Sequence, residues 1–269
     1  MDFSFTKMNG AGNDFVVVDN RDLTLALAGE DISKICDRHR GVGADGFLAV
    51  EPGREGADFR MRYYNSDGGE ADMCGNGARC FARFAARLLP AWPGILSFET
   101  PAGIILARFD GPIVTINMSV PKDFRTPPAL TLCGNRFEIH SINTGVPHAV
   151  AFVEDVEKID VRSMGAALRW HEEFAPKGTN ANFAQITPSG LILRTYERGV
   201  EDETLACGTG VCAAALIHHL VSGQPSPIPV TVRGGDTLQV AFVEGEQGGF
   251  SEVTLTGPAD FVFEGAYSL

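Results

Sequence analysis

Residues 72–79 carry the sequence Asp-Met-Cys-Gly-Asn-Gly-Ala-Arg, and a related sequence, Leu-Ala-Cys-Gly-Thr-Gly-Val, occurs at residues 205–211. In each copy a Cys-Gly-X-Gly turn precedes an apolar segment with helical spacing. Cys74 and Cys207 are therefore predicted to lie at helix N-termini, where backbone N–H groups have no partner within the helix. This position favours a thiolate and can also bind a carboxylate, so the two copies predict a functional site with two cysteines.

The elements around the two cysteines follow the same order in both halves: a strand, a polar turn, Cys-Gly-X-Gly and a helix. Duplicated halves usually face each other, so we expect an internal repeat with the two helix N-termini directed into one cleft. The N-terminal half is predicted at residues 1–118, completed by residues 259–269, and the C-terminal half at residues 119–258. Residues 121–128 contain prolines and mixed charges, which suits a linker or a crossover between domains.

Composition limits the classes of partner. The 269 residues are 44% hydrophobic and 21% charged, which is typical of a globular protein with a sizeable core. The net charge of −12 argues against nucleic acid and anionic membrane surfaces, so a small molecule is the expected ligand. We find no secretory signal and no segment long enough to cross a bilayer, and we expect a cytoplasmic protein with reduced thiols.

No cofactor or metal is expected. Gly41, Gly43 and Gly46 match the dinucleotide pattern, but they are predicted to follow a helix and open a strand, which is the reverse of the dinucleotide-binding order. Zinc is disfavoured because the spacings of the cysteines and of His218 and His219 do not match a zinc knuckle. The cysteines outside the two motifs are predicted to be small core residues: Cys36, Cys80, Cys133 and Cys212.

Two further predictions concern helices. A short helix is predicted over residues 33–38, with Ser33 as its N-cap. In the helix after Cys74, three arginines recur every four residues and are predicted to form a solvated face: Arg79, Arg83 and Arg87.

The two cysteines suit the inversion of a carbon that bears a hydrogen. That reaction needs a base on one face of the carbon and an acid on the other, and thiol and thiolate are both accessible near neutral pH. Helix N-termini would stabilise the negative enolate-like transition state, so an electron-sink cofactor would not be essential. A thiol hydrolase with one nucleophilic cysteine and His148 as its base is an alternative, although it leaves the second motif unexplained.

Three other residues are expected to line the site. His148 follows Gly-Val-Pro in a loop, and Glu197 and Arg198 precede Cys207 within the repeat. Arg198 could bind a second carboxylate and Glu197 an ammonium group. Together these features predict a substrate with two charged ends.

Taken together, the motifs resemble the diaminopimelate epimerase family nearly end to end. They lie at residues 8–15, 41–45, 64–68, 73–79, 145–148, 178–180, 197–199 and 206–210. The resemblance implies an α/β (α+β) fold with two similar domains related by pseudo-two-fold symmetry. Each would be a β-barrel-like sheet around a central helix, with the active site in the interdomain cleft. A homodimer is possible.

The resemblance also implies the cofactor-independent epimerisation of LL-2,6-diaminopimelate to meso-diaminopimelate, in lysine and peptidoglycan precursor biosynthesis. Cys74 and Cys207 would be the two acid/base thiols, and His148 with Glu197 would help to set their protonation. The implied contacts to the reacting carboxylate are Asn13, Gly75, Asn76, Gly208 and Thr209. The implied contacts to the distal end are Asn65, Asn180, Glu197 and Arg198. The alternatives are a proline or hydroxyproline racemase-like epimerase and a non-catalytic amino-acid-binding protein.

Overall fold

The structure is a computed structural model that describes residues 2–54, 56–245 and 249–269. The backbone forms two compact units, Met1–Asn117 with Gly257–Leu269 and Met118–Thr256, called here the first and the second unit. Within the described ranges, no helix has the length and apolarity that a membrane span requires.

The first unit contains two helices and a sheet that ends with the last strand of the chain. The helices are α1 (Gly29–Cys36) and α2 (Gly75–Arg87). The strands are β1 (Asp2–Gly10), β2 (Asn13–Asp19), β3 (Gly46–Pro52), β4 (Phe59–Asn65), β5 (Ile95–Thr100), β6 (Gly103–Asp110), β7 (Ile113–Asn117) and, from the C-terminus, β19 (Asp260–Ser268). Helix α2 packs against every strand from β1 to β7, so it forms the centre of this unit.

The second unit contains two helices and a second set of strands. The helices are α3 (Val161–Arg169) and α4 (Gly208–Ser222), with short 3-10 turns at Val156–Lys158 and Glu172–Phe174. The strands are β8 (Lys122–Arg125), β9 (Leu130–Leu132), β10 (Asn135–Phe137), β11 (Ile139–Asn143), β12 (Pro147–Phe152), β13 (Asn180–Thr187), β14 (Gly190–Glu197), β15 (Asp202–Thr204), β16 (Ile228–Val232), β17 (Thr237–Glu244) and β18 (Phe250–Pro258). Helix α4 packs against β11 to β14, β16 and β17.

Strand pairing repeats in the two units. From β1 to β7 successive strands pair antiparallel, parallel, antiparallel, parallel, antiparallel and antiparallel. The same order of pairings runs through β11, β12, β13, β14, β16, β17 and β18. A parallel pair needs a crossover connection, and α1 to α4 lie in the four crossovers. The chain therefore has the sheet-rich α+β architecture that the sequence predicts, with an internal repeat in its topology.

Both central helices are buried for a reason visible in their sequences. Helix α4 is apolar on nearly all sides, and its residues from Val211 to Ile217 are buried. Such a helix is stable only inside a core. In α2, alanine and phenylalanine provide the apolar surface, and Phe81 packs against Phe98 of β5 with ring centroids 4.7 Å apart. Each central helix thus presents its N-terminal cysteine from a rigid support.

Three local predictions are wrong. The first helix begins at Gly29 rather than at Ser33, because the Asp31 carboxylate accepts a hydrogen bond from the Ala28 N–H and closes the first turn earlier. The segment predicted as a linker contains strand β8, which pairs with β11. Cys133 is exposed at the turn between β9 and β10, with φ of 49°, so it is not a core residue.

The three arginines of α2 do not form a solvated face. Arg79 is fully buried, and its guanidinium donates to the Pro258 carbonyl as well as to residues of its own helix. Arg83 donates to the Ala259 carbonyl, and Arg87 forms an ion pair with Glu264. The C-terminal segment from Pro258 onward returns along this side of α2, so each arginine binds it; Arg79 is buried, Arg83 half-buried and Arg87 exposed.

Candidate active site

Cys74 is the N-cap of α2, as the sequence predicts. Its backbone is extended (φ −138°, ψ 120°), and Sγ accepts a hydrogen bond from the Gly77 N–H at 3.5 Å. The same sulfur lies 3.6 Å from Oδ1 of Asn13, to which a thiol S–H donates. Cys74 is half-buried, so reagents in solution can reach it.

Asn13 is held in one orientation beside Cys74. Its Nδ2 donates to Oδ2 of Asp45 at 2.7 Å, and because a carboxylate only accepts, the amide oxygen must face the other way. That oxygen accepts from Nδ2 of Asn76 at 3.5 Å and lies next to Cys74. Three of the predicted site residues are thus in contact in the first unit.

Behind Asn13 lies a charged network that the sequence reasoning missed. Arg38 donates to both Asp14 and Asp45, and the buried Lys7 forms an ion pair with Asp14 at 2.8 Å and donates to the Gly43 carbonyl. Burial raises the pKa of Asp14, but the hydrogen bonds from Arg38 and Lys7 outweigh it and hold that pKa well below its usual value. Lys7, the one basic residue of strand β1, was the available signal.

The Gly75-Asn76 turn is fixed from within the core. Nη2 of the buried Arg79 donates to Oδ1 of Asn76 at 2.9 Å, and Nη1 lies 3.3 Å from the Gly75 carbonyl oxygen. These contacts direct the side-chain nitrogen of Asn76 toward Asn13. The turn at the start of α2 is therefore held in one conformation, and N–H groups in such a position can bind an anion.

Asn65 lies apart from this cluster, at the exposed end of β4. Its Oδ1 accepts a hydrogen bond from the Tyr63 hydroxyl at 2.7 Å. Tyr63 in turn packs edge-on against Phe15, whose ring lies beside Gly77 of α2. Asn65 is thus connected to the Cys74 turn through two aromatic rings.

Cys207 is the N-cap of α4 and has nearly the same backbone conformation as Cys74 (φ −122°, ψ 106°). Its Sγ lies 3.5 Å from the Thr209 hydroxyl. That hydroxyl is 2.9 Å from Nε2 of His148, and the Thr144 hydroxyl donates to the Thr209 carbonyl at 2.9 Å. The predicted residues Cys207, Thr209 and His148 therefore form one connected cluster in the second unit.

His148 is fully buried on β12 and electrically neutral at physiological pH. Burial lowers its pKa to about 3, and the positive charge of Arg198 acts in the same direction. A ring with so low a pKa is a weak base, and its contact with Cys207 runs through Thr209. Both facts weigh against a thiol hydrolase that uses His148 to activate one cysteine.

Asn180 and Arg198 are also close to each other. The nearly buried Asn180 accepts from the Arg198 N–H at 2.8 Å and donates to the Pro147 carbonyl at 2.9 Å. The Asn180 side chain thereby holds the turn that presents Arg198. Glu197, one residue earlier, accepts a hydrogen bond from the Thr204 hydroxyl at 3.0 Å.

Asn182 is a second residue that sequence reasoning missed. It lies two positions after Asn180 on β13, on the same face of the strand, and its amide touches the ring of His148. Two polar residues at alternate positions of the apolar strand sequence Asn-Ala-Asn-Phe-Ala were the available signal.

The remaining cysteines differ from the two at the helix N-termini. Burial raises the pKa values of Cys36 and Cys80 to about 12, which keeps both protonated. Cys212 is buried within α4. In the described part of the chain, no three His, Cys, Asp or Glu side chains are grouped as metal ligands. The half-buried Cys74 and the helix-capping Cys207 are thus the best placed for proton transfer.

Comparison with solved structures identifies the fold. A PhzF-family phenazine biosynthesis protein of Bacillus anthracis superposes with a TM-score of 0.76 at 17% identity, covering 100% of both chains. A probable proline racemase from Agrobacterium radiobacter K84 superposes with a TM-score of 0.73 at 14% identity, covering 99% of this chain and 93% of the other. The chain therefore has the fold of the PhzF and proline racemase proteins.

Sequence comparison then gives the family. The diaminopimelate epimerase family model matches residues 5–120 and 140–262. The diaminopimelate epimerase of Aquifex aeolicus (strain VF5) is 44% identical, covering 98% of this chain and 97% of that protein. The diaminopimelate epimerase of Chlorobaculum tepidum is 42% identical, covering 97% of this chain and 100% of that protein. The chain belongs to the diaminopimelate epimerase family and is an isomerase of the epimerase type.

Proposed function

We propose that this enzyme interconverts LL- and meso-diaminopimelate with two thiols, those of Cys74 and Cys207, as the acid/base pair. The observation that carries the proposal is that both cysteines cap the N-termini of central helices, each within a set of polar side chains. Relatives that cover nearly the whole chain are named diaminopimelate epimerases, which supports the substrate.

The chemistry follows from the two helix N-termini. One thiolate takes the α-hydrogen as a proton from one face of the carbon, and the other thiol gives a proton to the opposite face. The electron pair left by the broken C–H bond moves onto the α-carboxylate, and it returns to carbon when the new C–H bond forms. N–H groups of Gly75 and Asn76, and of Gly208 and Thr209, stabilise this charge. Asn13 contributes through the second hydrogen of its Nδ2, the one that does not bind Asp45.

The distal end of the substrate explains the remaining site residues. Diaminopimelate carries a second amino group and a second carboxylate, which require an anionic and a cationic partner. Arg198 binds the distal carboxylate and Glu197 the distal ammonium, while Asn65 and Asn180 complete the contacts. Proline has no second charged end, so a proline racemase would leave Glu197 and Arg198 without a role.

The test follows the α-hydrogen in heavy water. LL-diaminopimelate is incubated with the enzyme, and mass spectrometry and chiral chromatography measure deuterium uptake and meso product. In the wild type we expect deuterium uptake together with formation of the meso product. In Cys74→Ala and in Cys207→Ala we expect epimerisation to fall by about 10³-fold, the order of magnitude that an acid or base contributes.

Two matched variants control for the loss of any helix thiol. Cys80→Ala lies on α2 and Cys212→Ala on α4, and both are expected to retain most activity because their sulfurs are buried away from the helix N-termini. Near-normal epimerisation by either Cys74→Ala or Cys207→Ala would overturn the two-thiol mechanism. Turnover of proline with no reaction of diaminopimelate would replace the proposed substrate.

A further inference from the structure

The side chain of Asn182 has a fixed orientation inside the second unit. It is fully buried, and its Nδ2 donates to the Ala149 carbonyl at 2.9 Å and lies 3.4 Å from the Asn180 carbonyl oxygen. Its Oδ1 accepts from the Thr195 hydroxyl at 2.9 Å. Carbonyl oxygens only accept hydrogen bonds, so the amide nitrogen must be the end that faces them.

This orientation determines which nitrogen of His148 carries the proton. Nδ2 of Asn182 lies 3.2 Å from Nδ1 of His148, and an amide nitrogen can only donate. Nδ1 must therefore be the unprotonated acceptor, and the hydrogen of the neutral ring is on Nε2. Burial and the nearby charge of Arg198 keep the ring neutral, as its lowered pKa shows.

The proton on Nε2 in turn sets the direction of the next hydrogen bond. Nε2–H donates to the Thr209 hydroxyl oxygen at 2.9 Å, which leaves the hydroxyl hydrogen for a different acceptor. Sγ of Cys207 lies 3.5 Å from that oxygen. The groups facing the His148 ring are Asn182 of β13, Thr209 at the start of α4 and the charged Arg198 after β14, with the titratable Cys207 beyond Thr209.

We propose that Asn182 is a positioning residue that fixes the tautomer of His148 and thereby aims the Thr209 hydroxyl at the sulfur of Cys207. Each hydrogen bond in the series Asn182, His148, Thr209, Cys207 then points toward the sulfur. A donor at this position stabilises a thiolate more than a thiol. The consequence for catalysis rests on the proposed function, but the series itself belongs to the enzyme without substrate.

The first measurement is the tautomer of His148. Long-range 1H–15N correlation spectra of the substrate-free enzyme distinguish protonated from unprotonated ring nitrogens, and His148→Gln assigns the signal. We expect Nε2–H in the wild type. In Asn182→Asp a carboxylate replaces the donor, so we expect the proton of the neutral ring on Nδ1. A wild-type ring protonated on Nδ1 would overturn the proposal.

The second measurement is the reactivity of Cys207, with Cys74 as an internal reference. Iodoacetamide labelling of the substrate-free enzyme, followed by mass spectrometry, gives both rates in one sample. At a pH where the spectra show His148 neutral, Asn182→Asp turns the Thr209 hydroxyl toward Nε2. The Cys207 rate should then fall about tenfold, the equivalent of one hydrogen bond to a charged group. The Cys74 rate should stay within about twofold, because Cys74 lies in the other unit and has other partners.

A double-mutant cycle separates positioning from a general structural effect. Thr209→Val removes the hydroxyl and should slow Cys207 about as much as Asn182→Asp, while Thr209→Ser should retain the wild-type rate. Because Asn182 acts through Thr209, the double variant should be no slower than Thr209→Val alone. Additive losses would overturn the proposal, as would an unchanged ratio of the two cysteine rates in Asn182→Asp.

If Asn182→Asp does not fold, Asn182→Leu takes its place in the cycle, with the same non-additivity expected. None of these measurements uses a substrate. If the tautomer and the cycle agree with expectation but diaminopimelate is not epimerised, the series of hydrogen bonds stands and the proposed function falls.

Discussion

The helices α2 and α4 begin with the same motif in nearly the same conformation, yet they are supported in different ways. In α2 the position five residues after the cysteine is Arg79, whose buried guanidinium holds the Gly75-Asn76 turn. In α4 the corresponding position is Cys212, a small buried side chain. There the turn is held from outside the helix, by Thr144 and His148.

The polar partners of the two sulfurs differ as well. Among side chains, Cys74 lies beside the amide oxygen of Asn13, an acceptor, in addition to the Gly77 N–H that donates to its sulfur, whereas Cys207 lies beside the Thr209 hydroxyl, which can donate. An acceptor favours the thiol and a donor favours the thiolate. A duplicated motif therefore supplies two equivalent positions, and the residues packed around each one make the two thiols unequal.

The largest difference in the free energy of unfolding is expected when the equivalent side chains Arg79 of α2 and Cys212 of α4 are replaced. Arg79→Met removes the donor to Asn76 and to the Gly75 and Pro258 carbonyls, so it should lower the free energy of unfolding by about 3 kcal/mol or more. Cys212→Ala only shortens a small core side chain and should cost about 1 kcal/mol. Urea denaturation followed by circular dichroism measures both. Equal losses would show that the Arg79 guanidinium does not stabilise its turn.

A smaller difference in the free energy of unfolding is expected when the last glycine of each Cys-Gly-X-Gly motif is replaced by alanine. A methyl group at Gly210 would lie 2.6 Å from Oδ1 of Asn182, whereas at Gly77 it would lie 3.3 Å from the ring of Phe15. Gly210→Ala should therefore cost about 1–3 kcal/mol by overpacking. Gly77→Ala should stay within about 1 kcal/mol, because the ring can shift slightly and alanine favours the helix.

The same denaturation experiment measures these two variants, and iodoacetamide labelling adds a second readout. Gly210→Ala should slow the labelling of Cys207 because it displaces Asn182 and His148. A larger loss of stability in Gly77→Ala than in Gly210→Ala would contradict the packing described for the two motifs.

The smallest expected difference between the two units is in how their stability changes as the pH falls. Burial lowers the pKa values of His140, His148 and His218, all in the second unit. The unfolded chain then binds protons that the folded unit does not, so this unit loses stability as the pH falls below about 6.5 toward 3. In the first unit the lowered pKa of Asp14 contributes stability that is lost only below about pH 4.

Hydrogen exchange with mass spectrometry, corrected for the intrinsic rate at each pH, measures the two units separately. Between pH 7 and about 5.5 we expect protection to fall first in the second unit. His148→Gln should reduce that loss by about 1 kcal/mol, because it removes one proton-binding group from the unfolded state. If the first unit instead lost protection at a higher pH than the second unit, the assignment of the acid sensitivity to the buried histidines would be wrong.

Much of the fold was predictable from local signals. Cys-Gly-X-Gly before an apolar segment predicted both helix N-termini, and the family resemblance implied the α+β fold. The motifs distributed along the chain, those around Cys74 and Cys207 among them, led to the epimerase family. The roles of the individual site residues stay predictions that the experiments above test.

Other features could not be predicted because they depend on distant parts of the chain. Arg79, Arg83 and Arg87 have the spacing of a solvated face, but the segment from Pro258 to Glu264 returns beside α2 and supplies a partner to each of them, and Arg79 is fully buried. Cys133 has an apolar side chain but lies in the turn between β9 and β10, where no core covers it. The segment at residues 121–128, predicted as a linker or crossover, contains strand β8, and its partner β11 follows only after β9 and β10.

The sequence by itself determined where the central helices begin and which residue caps each one, because glycine flexibility and helix capping act within a few residues. Only the tertiary structure decided the orientation of the Asn13 amide, the tautomer of His148 and the burial of Arg79. Each of these depends on a hydrogen bond between residues that lie 32, 34 and 179 positions apart in the chain. Such bonds form only when the packing of the strands brings donor and acceptor together away from water, where leaving either one unpaired costs free energy.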